Sequence, residues 1–392
     1  MSLGPAATST NLQPRWSGRR VAIVHDWFQG YHGSERVVDA MVQEVFSGAR
    51  CDVFTFHAAH ELLPERLDAA IVAESRLGRL PYIRQRGHDP GHWRSLLPYM
   101  PYYFRSLDLD RYDLVVASSH ACAVQAAAAT AAPSVCYCYT PMRYAWLPST
   151  DGERAQGAKR VAMKLAGGWL RAIDRSAAAR VGHYVAISSA VRERISRFYG
   201  RDADVIHPPV ETEDLSPHQE KEQGHFLWVH RLVAYKHPEI VAEAFRSLPY
   251  RLTMVGVGPL EARLRSRLPP NVELRAWLTR EELTQLYERA SGFIHVGDED
   301  FGITMVEALA AGVPVIGLAR GGARDIVRHQ EDGLLIDVPS VEAVRTAVRD
   351  LAGRHWEPQE LAQRAKSFSR SRFVERFDDL AERACAAVPS RT

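Results

Sequence analysis

The sequence predicts an α/β protein built from two doubly wound parallel-sheet domains that face a central cleft. Three observations lead there. Apolar runs of strand length alternate with helical patterns along the chain. The alternation breaks at a proline- and acid-rich stretch, residues 207–225, and then restarts. The first apolar run leads into a glycine-bearing loop and then a helix, which is how a doubly wound sheet opens.

The elements follow in order. Residues 1–18 hold Ser, Thr, Pro and Gly with little apolar material and read as a disordered lead. Residues 19–210 make the first Rossmann-like domain. Arg20–His25 is its first strand, ending at Asp26, and its loop carries Gly30 and Gly33. Val37, Val38, Met41, Val42 and Val45 recur at helical spacing, so a helix is expected over Ser34–Phe46. Buried strands are expected at Asp52–Phe56, Leu114–Ala117, Ser134–Tyr139 and Tyr184–Ile187. Residues 211–225 read as a linker.

The second Rossmann-like domain, residues 226–360, repeats the order without repeating the sequence. Its strands are expected at Phe226–Val229, Leu252–Val255, Val272–Leu274, Gly292–Val296, Val313–Ile316 and Leu334–Ile336. Helices start near Pro238 and at Ile303 or Thr304. Residues 361–392 carry further helical patterns. Open parallel sheets bind ligands beyond the carboxyl ends of their strands. Two facing sheets therefore offer one cleft with a wall for each of two substrates.

Composition narrows the class. The 392 residues give material for two or three domains. With 46% hydrophobic and 24% charged residues the chain is globular rather than disordered. No apolar run reaches the ~18 residues of a membrane-spanning helix, and the N-terminus lacks a charged-then-apolar signal. A cytoplasmic protein with five reduced cysteines is the expectation. The net charge of +2 divides unevenly. Residues 1–210 carry 25 basic and 19 acidic side chains, and residues 211–392 carry 24 and 28. No dense basic stripe marks a nucleic-acid binder. A mildly basic first half fits a phosphate or a lipid surface.

Five segments carry chemistry. In Val296–Pro314, Glu299 and Glu307 stand eight apart around a helix start. Gly302 allows close approach of a bound group, and the helix N-terminus favours an anion. Glu307 can accept from a vicinal diol such as a ribose. In His230–His237, Arg231 and Lys236 follow a strand and suit a diphosphate, one as a fork and one as a point charge. Gly256–Pro259 and Gly30–Glu35 are glycine turns at strand ends. Cys136–Trp146 is a strand running into a proline turn with Arg143 and three aromatics. Asp298-Glu299-Asp300 has no second ligand set, so no metal is expected. The glycine–lysine phosphate loop of nucleotide hydrolases is absent.

Taken together, the order of these pieces resembles the family-4 retaining glycosyltransferases of the GT-B fold, over roughly residues 19–380. Glu299 and Glu307 look like that family's glutamate pair, and Arg231 and Lys236 match its diphosphate-binding cations. Ala310–Ile316 and Gly321-Gly322 are also similar to it. Val24-His25-Asp26-Trp27, Gly33–Val37, Ser118-Ser119-His120 and Thr140–Tyr144 resemble the mannosyltransferases of O-antigen and exopolysaccharide assembly. Two positions depart: His32 stands where a glycine is common, and Tyr139 where a His is common.

The resemblance implies a donor site of Gly33, Arg231, Lys236, Val257, Trp277, Leu278, Glu299, Phe301, Gly302, Ile303, Thr304 and Glu307. Glu299, Arg231, Lys236, His120 and Tyr139 would be catalytic, and His120, Arg143 and Tyr144 would meet the acceptor. It implies GDP-mannose as co-substrate, no cofactor or metal, and a lipid-linked or saccharide acceptor. The last helix would cross back to the first domain. Basic and aromatic residues in 79–105 and 151–180 would touch an anionic membrane surface. The competing reading is a degenerate, glycosyltransferase-like binding subunit, motivated by Tyr139.

Overall fold

The structure, a computed structural model, describes residues 15–80, 96–146, 158–218 and 220–387. Two parallel sheets form its frame. The first holds seven strands in the order β3-β2-β1-β4-β5-β6-β7: β1 (Arg20–His25), β2 (Arg50–Thr55), β3 (Ile71–Glu74), β4 (Leu114–Ser119), β5 (Ser134–Cys138), β6 (His183–Ala186) and β7 (Asp204–Val205). The second holds six in the order β10-β9-β8-β11-β12-β13: β8 (His225–Val229), β9 (Arg251–Val255), β10 (Val272–Arg275), β11 (Gly292–His295), β12 (Val315–Leu318) and β13 (Gly333–Ile336). The central strands are buried almost throughout, as the continuous apolar runs require.

The strand order fixes where ligands go. In the first sheet the chain leaves β1 toward β2 and β3, then returns to lay β4 on β1's other edge. In the second sheet β11 returns in the same way beside β8. The order reverses at these two points, and the crevice beyond such a reversal is the ligand site of doubly wound sheets. The loops after β1, β4, β8 and β11 are the ones that carry Gly33, His120, Arg231 with Lys236, and Glu299.

Several expectations are corrected in detail. The short edge strands β3 and β7 extend the first sheet beyond the five strands expected. The first helix, α1 (Gly33–Ala40), passes into a wider π turn at Met41–Val45. The strand expected from Val313 begins at Val315, because the Val313 amide bonds back to Ala308. The lead expected over residues 1–18 is corrected at its end. Arg15–Gly18 form a turn, with Trp16 buried edge-on to Phe46 and bonded to Asp378. The linker is anchored as well: Leu215 is buried, and Lys221 Nζ donates to the carbonyls of Glu288 and Ala311.

The final helices pack on both halves. Pro358–Ala365 lies against Ile303–Ala310 of the second half. Arg370–Ala386 returns to the first, where Phe373 and Phe377 meet Tyr137 and Phe46. The chain thus crosses between the sheets twice. The two crossings touch where Val210 pairs with Ser369 and its amide bonds to Phe368.

Candidate active site

The two reversal points open on one cleft of about 390 Å³. Its lining includes Gly33, Tyr139 and Arg143 from the first half. Arg231, Lys236, Glu299, Phe301, Gly302, Ile303 and Thr304 come from the second. The structure therefore brings together ten of the expected residues from four separated segments. Val257, Trp277, Leu278, Glu307, His120 and Tyr144 do not line this cleft.

The floor of the second wall is the start of helix α2 (Ile303–Ala310). Gly302 precedes it with φ 112°, in the left-handed region, where a Cβ would come 2.3 Å from Met305 Cε. The first amides of a helix have no intrahelical partner and carry its positive end. The Thr304 hydroxyl is buried there without a hydrogen-bond partner. Gly33 of the first wall approaches the same helix so closely that a Cβ would lie 3.1 Å from Ile303 Cδ1.

The charged groups are engaged with one another. Lys236 is almost fully buried and sits on Glu299 Oε1, while Glu299 Oε2 lies 3.2 Å from His295 Nε2. Burial, with Arg143 and Arg231 nearby, pushes the Lys236 ammonium down to about 7. Arg143 donates to Asp300 at 2.7 Å across the cleft, and Arg194 pairs with the other Asp300 oxygen. A second tie joins the halves at Asp325, which accepts from the Ser189 amide at 2.6 Å and lies 3.1 Å from His207 Nε2.

Glu307 stands one turn into α2, as expected, yet it is not free. Arg280 reaches its Oε1 at 2.9 Å and the Tyr287 hydroxyl its Oε2 at 3.0 Å, because the helix Arg280–Arg289 packs over it. Arg280 also grips Asp214 of the linker. A carboxylate accepts about four hydrogen bonds, so capacity remains for a diol. Trp277 is 76% exposed.

On the first wall Tyr139 faces the cleft, but its hydroxyl is spent. It donates to the Ser34 carbonyl at 3.1 Å and accepts from Ser118 at 2.9 Å. Ser118 Oγ is in turn 3.0 Å from Nδ1 of His25, whose burial pushes it down to about 4. His120 sits edge-on to Trp27, with Nδ1 3.5 Å from Asp26. Asp26 is fully buried and accepts four amides, from His120, Ala121, Cys122 and Ala123, at 2.5–2.9 Å. It fixes the turn that carries His120.

Sequence reasoning passed over several of these residues. Asp300 was visible only as part of an acidic triplet. Arg194 and Arg280 gave no local signal, since each acts on a partner remote in sequence, and His295 reads as the last residue of a buried strand. Among the described residues, His230, His295 and Glu299 could gather around a metal, their ligand atoms lying within 4.8 Å of one another. Lys236 already occupies that carboxylate.

Comparison with known proteins decides the family. Residues 15–214 match the profile of Glycosyltransferase Family 4, and residues 210–368 that of Glycosyl transferases group 1. The chain belongs to glycosyltransferase family 4. A GDP-mannose-dependent alpha-mannosyltransferase of Mycobacterium tuberculosis is 37% identical over 116 residues, 29% of this family-4 chain and 30% of that protein. The D-rhamnosyltransferase WbpZ of Pseudomonas aeruginosa is 28% identical over 219 residues, 53% and 57% of the two chains. The chain thus spans less than two thirds of these relatives. Among solved structures, Anabaena Alr3699/HepE in complex with UDP superposes with TM-score 0.67 at 16% identity, over 94% of this chain and 100% of that one. Sucrose-phosphate synthase from Thermosynechococcus elongatus gives 0.69 at 15% identity, with the same coverage. Both likenesses show the fold. It is GT-B, as the sequence implied.

Among the described residues, no helix is long and apolar enough to cross a membrane. Of the basic and aromatic residues expected at a lipid surface, Arg84, Arg86, Trp93 and Arg94 lie outside the described residues. Tyr99 and Tyr102 are exposed, with Trp169 6.2 Å from Tyr102 between ring centres.

Proposed function

We propose that this protein is a retaining glycosyltransferase moving a hexose, mannose from GDP-mannose, onto a lipid-linked or saccharide acceptor in surface polysaccharide synthesis. One observation carries the reading: Arg231, Lys236, the N-terminus of α2 and Glu299 converge in one cleft at the reversal points of both sheets. The GDP-mannose dependence of the Mycobacterium relative supports the choice of donor.

The chemistry follows from charge. The donor's C1–O bond to phosphate breaks, and negative charge grows on the departing diphosphate. Arg231, Lys236 and the α2 amides stand ready for that charge, so catalysis is mostly preorganised electrostatics. Glu299 orients the hexose hydroxyls, and Glu307 takes the ribose diol. Val257, Trp277 and Leu278 flank the base. The acceptor hydroxyl attacks C1 from the face the diphosphate leaves. Its proton passes to a departing phosphate oxygen, which balances the step without a protein nucleophile or a metal ion. His120, Arg143 and Tyr144 would meet the acceptor. Exposed Tyr99, Tyr102 and Trp169 support peripheral contact with anionic lipid. A liposome flotation assay at low salt tests that contact, and no co-flotation sinks it.

The second reading, a binding subunit without turnover, is favoured by Tyr139, whose hydroxyl is held by Ser34 and Ser118. A thermal-shift screen of GDP-, UDP-, ADP- and dTDP-sugars, followed by turnover with the best donor, separates the two. A ligand at 100 times its Kd stabilises by about 2.7 kcal/mol. GDP-mannose should shift wild type but not Arg231→Ala, and NMR of the product should show retained configuration. Binding without product favours the subunit. No shift with any sugar nucleotide sinks the enzyme reading.

A further inference from the structure

Nε2 of His295 is buried and makes no hydrogen bond, although Glu299 Oε2 is 3.2 Å away. The ring is fully enclosed at the end of β11, and its Nδ1 lies 3.0 Å from Nε2 of His230. The other oxygen of the same carboxylate is held by Lys236. Glu299 thus rests on one cation while a second group stands beside it unused.

Lys236 faces two demands. A diphosphate arriving between Arg231 and Lys236 draws the ammonium onto phosphate. Glu299, only 27% exposed, is then left without its partner, and an unpaired part-buried carboxylate is costly. His295 is the group within reach. With its proton on Nε2 it donates to Glu299 Oε2. Nδ1 is then an acceptor, and a proton on His230 Nε2 satisfies it. Two neutral imidazoles so provide two hydrogen bonds, both running toward the carboxylate. Burial holds both histidines well below their ordinary range, which keeps them neutral.

We propose that His295, its tautomer set by His230, takes over Glu299 when the donor diphosphate claims Lys236, and so keeps that carboxylate aimed at the hexose. His295 is a positioning residue that reaches the sugar only through Glu299. The inference rests on the donor-site reading given above.

The test compares GDP with GDP-mannose, or the diphosphate and sugar nucleotide preferred in the screen. Titration calorimetry and turnover are run on wild type, His295→Phe and His295→Gln. Phe removes the donor, and Gln offers an amide N–H in its place. Expected for His295→Phe is unchanged affinity for the diphosphate, within about twofold. Affinity for the sugar nucleotide should fall roughly 10-fold or more, with a fall in kcat. His295→Gln should recover most of both losses. Equal losses for the two ligands, a Phe variant like wild type, or no rescue by Gln each overturn the handover. Should the Phe variant fail to fold, ¹⁵N spectra of the wild-type histidines decide. The His295 proton must sit on Nε2 with sugar nucleotide bound, and a proton on Nδ1 overturns the proposal. Failure of the parent reading looks different, because wild type then binds no sugar nucleotide and both readings fall.

Discussion

Asp300 of the second half accepts Arg143 of the first at 2.7 Å and takes Arg194 on its other oxygen. One carboxylate thus spans the cleft. Asp300→Asn should loosen the halves at a cost of about 1–3 kcal/mol, because Arg143 is half exposed but Arg194 and Asp300 are largely buried. Small-angle scattering should show a larger radius of gyration for the empty variant, and high salt should move wild type the same way. An unchanged radius would mean that Asp325 and the crossings alone hold the halves.

Nucleotide affinity should depend on pH through Lys236. Burial pushes its ammonium down to about 7, and a diphosphate beside it would pull it back up. Binding above pH 7 must therefore recapture a proton, and affinity should fall by up to about tenfold per pH unit. Calorimetry with GDP from pH 6 to 9 measures the slope. Lys236→Arg stays charged throughout and should flatten it.

Gly302→Ala places a side chain at φ 112° and against Met305. The strain should cost about 1–3 kcal/mol and turn the α2 amides away from the cleft. A lower denaturation midpoint together with weaker GDP binding is the expected pair of results. Loss of stability with normal binding would show that the helix start is not a phosphate contact.

Asp26→Ala orphans four amides at once, three of them buried. The loss should be about 3–5 kcal/mol, among the largest for a single substitution here. Thermal unfolding checks it, and a drop under 1 kcal/mol would mean that the His120 turn is held by other contacts.

His25 should make the protein acid-sensitive. Its folded value, about 4, lies below the ordinary 6.5, so the unfolded chain binds the proton first. Stability is intact above pH 6.5 and is lost as pH falls toward 4. Unfolding midpoints over that window should fall less steeply in His25→Gln.

Much of this molecule was legible in order and little of it in partnership. Arg20–His25 and Leu114–Ala117 announce themselves as apolar runs, because central parallel strands are buried on both faces. The start of α2 after Gly302 was legible for the same local reason. The edge strand Asp204–Val205 was not, since two half-exposed residues carry no period. Lys236 and Glu299 each read in the sequence as a ligand contact, yet the two hold each other. Sequence spacing speaks of residues near in the chain, whereas Glu307 meets Arg280 through helix packing and Asp300 meets Arg194 over 106 positions. Such pairs are set by topology, which a single sequence leaves unspoken.

The pairing of Val210 with Ser369 has a mechanical meaning. Two strands of chain cross between the halves, and they are fastened side by side. Two separated crossings would resist relative rotation, whereas two joined at one spot form the spine of a book. The covers can swing about that spine but cannot slide along it. A ligand that closes the cleft would turn the halves about this one line, with the ties at Asp300 and Asp325 as its latches.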